Sequence, residues 1–204
     1  MSEDLASIQK PIAESFRKDR KLFSVPLIFS GQESPSDFLA LFDTYWDQVQ
    51  DHLANLESRL GHVRHLYHES LLDGGENSMQ VLETLSPKSH VIVGEKCKKG
   101  AILELVEDPE LAAQSDDWER CLLLGFASQK VAQEIYGLFI DATKNRHNHM
   151  VERIDATLED GESGILFVRE RNWLQFPNDI QIFSVAPPAL DGIHRWFRDL
   201  SSGN

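Results

Sequence analysis

The segment Gly61-His-Val-Arg-His-Leu-Tyr-His-Glu69 gathers three imidazoles and a carboxylate within one short stretch. On a helix, His62, His65 and Glu69 fall at i, i+3 and i+7, so they share a face and can offer two nitrogens and an oxygen to a divalent metal. That face lies opposite the apolar stripe of Leu56, Leu60, Val63 and Tyr67, at about 100° per residue. A site open to water on one helix lacks buried support for its ligands. These three are therefore weak metal candidates, and an ordinary solvated polar face is expected.

A second basic group sits in Lys144-Asn-Arg-His-Asn-His149. His147 and His149 cannot chelate together, because i and i+2 point about 200° apart on a helix. Arg146, His149 and Arg153, however, continue the apolar face of Ile135, Phe139 and Ala142. Cations directed inward demand carboxylates or a bound anion. An anion pocket built from Arg146, His149 and Arg153, with Arg169 as a fourth group, is the ligand-binding expectation; its alternative is a helix end whose side chains snorkel into water. Arg169, Glu170, Arg171 and Trp173 follow a strand-like run, a place where ligands or protein partners bind. Cys97 is flanked by Lys96, Lys98 and Lys99, cations that can lower a thiol pKa; an ordinary charged hairpin tip is the main expectation there. No Gly-x-Ser-x-Gly elbow and no phosphate-binding glycine loop occurs. No cofactor is expected.

The elements that position these groups follow from periodicity. Leu5, Ile8, Ile12 and Phe16 suggest a helical arm over residues 1–20. The run Leu22 to Phe29, broken by Pro26, reads as an edge strand. Ser34-Pro35-Ser36-Asp37 opens a helix, and the stripe Phe38, Phe42, Tyr45, Trp46, Val49, Leu53, Leu56, Leu60, Val63, Tyr67 predicts that it continues from about 35 to 71. A short helix near 76–85 is followed by a predicted hairpin pairing 89–95 with 101–107. Helices are expected after Ser115, from 129 to 158, and after Pro187, with strands at 164–168 and 180–185.

Composition bounds the rest. With 33 Asp and Glu against 20 Lys and Arg, the net charge is −13, which disfavours nucleic acid and anionic lipid as partners. Two cysteines and an N-terminus without the cationic and apolar pattern of a secretory signal lead to the expectation of a cytoplasmic protein. No apolar run approaches the roughly 18–20 residues that a membrane span needs. The order of elements predicts one domain over 1–204 with an α+β fold, long helices on a small mixed sheet; an α/β layered fold is the alternative. Two function classes remain. One is a protein-interaction or regulatory module, a homodimer among the options, using Phe42, Trp46, Val49 and Leu53 on the long helix. The other is a small enzyme or ligand-binding protein with an anion pocket near Arg146, His149 and Arg169.

Overall fold

A computed structural model describes residues 19–31, 33–74 and 77–202; the arm expected over residues 1–20 lies, but for its last two residues, outside them. The described elements run β1 (Arg20–Pro26), α1 (Ser36–Leu60), β2 (Val63–His68), α2 (Ser78–Leu85), α3 (Pro87–Lys98), β3 (Ile102–Glu104), α4 (Pro109–Leu123), α5 (Gln129–Thr157), β4 (Ser163–Val168), β5 (Ile180–Ser184) and α6 (Pro188–Ser202). The five strands form one sheet in the order β3-β2-β4-β1-β5. Every pairing is parallel, which corrects the expected mixed sheet. β1 is an interior strand rather than an edge, and Pro26 causes no conflict because it closes the strand. β4 and β5 do not pair with each other but flank β1.

Two sequence expectations fail, the first because of how a buried strand reads. A strand buried on both faces of a parallel sheet loses the alternation that distinguishes it from a helix. Val63 to His68 carries side chains that also fit the helical stripe, yet α1 stops at Gly61, which takes φ +106, a conformation that side-chain-bearing residues rarely adopt. Beyond it, five of the six β2 residues are buried. The predicted hairpin is instead α3 followed by β3, with Pro87 in the first helical turn, Ile92 and Val93 on the buried side, and β3 parallel to β2. α4 likewise starts earlier than expected. Asp108 accepts from Glu110 N and Leu111 N at 2.9 Å, a stronger cap than Ser115, which is buried within the helix.

Side chains alternate between two cores. Phe23, Leu66, Ile165 and Phe167 pack with α1, α3 and α6; Leu22, Tyr67, Leu166 and Val168 pack with Met150 and Ile154 of α5, with Leu158 just beyond it and with Leu174 and Phe176 from the β4–β5 connection. The α1 stripe belongs to the first core. Phe42, Trp46, Val49 and Leu53 are each at most 7% exposed, so the interaction surface expected there is consumed by the protein's own sheet and α6.

His68 is fully buried in the first core. Its Nδ1 accepts from Ser70 N at 3.1 Å and its Nε2 meets Ser89 Oγ at 2.9 Å. Burial depresses its pKa to about 3. The unfolded chain takes up this proton below about pH 6.5 while the folded protein does not, so the stabilisation is complete above pH 6.5 and is lost as pH falls toward 3. Urea unfolding between pH 6.5 and 5 should show a loss of up to about 1.4 kcal/mol per pH unit from this residue. His68→Gln should flatten that slope, and an unchanged slope would refute the assignment.

Candidate functional site

All five strands point the same way, so their carboxyl ends share one edge of the sheet. The segments leaving β1 and β2 enter α1 and α2, whereas residues 169–179 leave β4 and return along the α5 side before β5 begins. Adjacent strands whose connections diverge leave a crevice at their carboxyl ends. A cleft of about 360 Å³ lies there, within the size range of small-molecule sites. Leu27, Ile28 and Phe29 after β1, Glu69 after β2 and Arg169 to Asn172 after β4 form one side; Phe139, Thr143, Arg146, His147 and Met150 of α5 face them.

The floor is a chain of ion pairs. Arg146 lies on the buried face of α5 and donates from Nε to both Glu107 oxygens at 3.0 Å and from Nη2 to Oε1 at 2.5 Å. Its Nη1 meets Asp116 on α4 at 3.5 Å. The Arg146 side chain is 8% exposed and that of Glu107 0%. Burial disfavours the Arg146 charge, but the Glu107 hydrogen bonds outweigh it and hold the pKa above the ordinary value. Burial pushes the Glu107 carboxyl up, with Arg146 opposing. Glu69, also buried, accepts from Arg169 Nε and from Arg169 N, both at 2.7 Å, which braces the end of β2 to that of β4. The outer nitrogens of Arg169 stand 3.8 Å from Asp116 and from Glu119, beyond hydrogen-bond length.

His147 supplies a different chemistry. Burial first, then Arg146 and Arg169, lower its pKa to about 4. Its Nδ1 accepts from Trp173 N at 3.4 Å, so the neutral ring carries its proton on Nε2. A neutral imidazole on the wall of the cleft has one N–H to offer without adding charge. The other histidine near a hydroxyl is no nucleophile's base: His68 Nδ1 is occupied, its Nε2 therefore carries the proton toward Ser89, and Ser89 is fully buried and bonded to Ser86.

The residues singled out from sequence scatter. Arg146 and Arg169 meet at the cleft. His149 is half-buried and outside the cleft lining, and Arg153 is exposed, with Nε 3.4 Å from Leu105 O. The compensation that inward cations require is met by Glu107, Glu69 and Asp116. His65 and Glu69 do not share a solvated helix face: both are buried, with His65 bridging Glu104 at 3.2 Å and Glu162 at 3.0 Å, while His62 is exposed. Cys97 sits near the end of α3 against the first core, and burial pushes its thiol pKa up, opposite to the lowering that lysine neighbours can cause; Lys96 is taken by Glu57. The partners Glu107 and Asp116 carried no motif. Their only sequence signal was that a buried Arg146 needs an acid.

No family model, no curated protein and no solved structure matches the chain. The described helices include none long and apolar enough to cross a membrane.

Removing one partner of a buried pair strands the other charge, at a cost of roughly 3–5 kcal/mol, whereas an apolar replacement of both costs much less. Glu107→Gln and Arg146→Met should each destabilise by about that amount, and the double variant Glu107→Leu with Arg146→Met by clearly less than their sum. Chemical denaturation of the four proteins as a cycle measures it; strict additivity would show that the two are not coupled.

Proposed function

We propose that the protein binds a small organic anion in the cleft at the carboxyl edge of the sheet, as a ligand-binding protein or a small enzyme. The observation that carries this is Arg169, anchored through Nε and its backbone by Glu69 while its outer nitrogens make only long ion pairs, 3.8 Å, with Asp116 and Glu119. Such a guanidinium is held in place and still has donors to give, the arrangement that suits bidentate recognition of a carboxylate or phosphate. Phe29, Phe139 and Met150 offer an apolar wall for the body of the ligand, and His147 offers a neutral donor. Arg146 belongs to the scaffold, since Glu107 occupies its Nε and Nη2. The uniformly parallel pairing also supports the α/β layered alternative for the fold.

A thermal-shift screen of small carboxylates and phosphate esters tests this, because a ligand that binds only the folded state stabilises it by about 2.7 kcal/mol at one hundred times its Kd. At least one such anion should raise Tm in the wild type and have little effect on Arg169→Ala. No shift with any of them at millimolar concentration, or equal shifts in both proteins, would overturn the proposal.

A second reading, a self-associating module, draws on a surface other than α1. The α4–α5 hairpin exposes Leu123 at 82%, Leu124 at 81% and Tyr136 at 56%, and exposed apolar clusters of this kind mark contact sites. Light scattering at high micromolar concentration should then give a dimer mass that reverts to monomer in a Leu123→Ser, Leu124→Ser double variant. A monomer in both would remove this reading.

A further inference from the structure

Beside the cleft, a second depression of about 660 Å³ opens under α6, lined by Glu170, Arg171, His194, Phe197, Arg198 and Ser201. The two depressions share Glu170 and Arg171 as a common wall. Most cations among the described residues are engaged by acids or carbonyls, as Arg20 is by Asp155 and Asp179, Lys88 by Asp43, Lys96 by Glu57, Arg146 by Glu107 and Lys21 by the Asp19 and Gly161 carbonyls. Arg171 and Arg198 are not. No carboxylate of the described residues pairs with either, and both line the same depression. Its one carboxylate, Glu170, is engaged by His194 Nε2 at 2.8 Å. Two arginines against one glutamate leave the lining cationic in a chain whose net charge is −13.

We infer that the depression under α6 is a second anion subsite, and that the ligand is an elongated polyanion of the polyphosphate type, held at one end by Arg169 in the cleft and at the other by Arg198, with Arg171 between them. This rests on the cleft reading above and adds to it the shape and charge spacing of the ligand. Arginines take phosphate oxygens in bidentate fashion. The overall acidity repels anions in general, so binding of a polyanion rests on the outer donors of Arg169, Arg171 and Arg198 rather than on diffuse attraction.

Isothermal titration of the full chain with inorganic phosphate, tripolyphosphate and citrate tests the inference, with Arg169→Ala and Arg198→Ala compared with wild type after circular dichroism has shown both variants folded. Arg198 is exposed, so its truncation leaves the core intact. Tripolyphosphate should bind at least tenfold more tightly than phosphate, and Arg198→Ala should lower that affinity about tenfold while leaving phosphate binding at the cleft unchanged. Citrate, of comparable charge but compact, should behave like phosphate. If Arg169→Ala weakens binding and Arg198→Ala does not, the second subsite is wrong and the cleft stands. If citrate matches tripolyphosphate and is equally sensitive to Arg198, the elongated ligand is wrong. If no probe binds, or neither variant differs from wild type, both the cleft and the subsite fall.

Discussion

Glu107 and Arg146 join the segment after β3 to the middle of α5, and the geometry of the carboxyl edge depends on that junction. α5 is 29 residues long, and only its second half packs on the sheet, through Met150, Ile154 and the neighbouring Leu158. Its first half packs on α4. Arg146 lies where the two regimes meet, reaching Glu107 on one side and Asp116 of α4 on the other. A charge buried this deeply tolerates few alternative positions, because any shift that breaks its hydrogen bonds exposes the full cost of desolvation. The pair therefore sets the depth at which α5 crosses the sheet edge, and with it the opposite wall of the cleft.

The same economy explains why the site is polar without being strongly charged. Buried Glu69 fixes Arg169, and Asp116 stands between the two arginines. Each cation has an acid near it, but only Arg146 is saturated. His147, made neutral by burial and by those same cations, adds a donor where a third positive charge would be costly. The result is a surface whose donors are held in place by buried acids, the kind of preorganisation that lowers the ordering cost of the binding proposed above.

Gly164 illustrates how closely the strands behind this site fit. A Cβ at this position would stand 3.0 Å from the Tyr67 ring and 3.3 Å from Leu22, so the central strand accepts almost nothing larger between β1 and β2. Tyr67 in turn reaches Thr157 at 2.8 Å through its hydroxyl, tying the sheet to the end of α5. Packing in the second core and the ion pairs at the edge thus hold the same helix from two directions.

Much of the secondary structure was legible in the residues themselves. The extents of α2 and α5, the start of α6, the places of β4 and β5, and a start for α1 near Pro35 follow from caps, prolines and periodicities that act over a few residues. The need of Arg146 for an acidic counterpart was legible too, since it follows from the stripe that carries it. What only the tertiary structure decided was the identity of the partners and the direction of the strands. Glu107 lies 39 positions from Arg146 and Arg169 lies 100 from Glu69, and no local pattern encodes a contact across such separations. β2 was hidden for a related reason: a strand covered on both faces shows no alternation, so its Val63 and Tyr67 read as one more turn of helix until the sheet on either side supplied the hydrogen bonds that made it a strand.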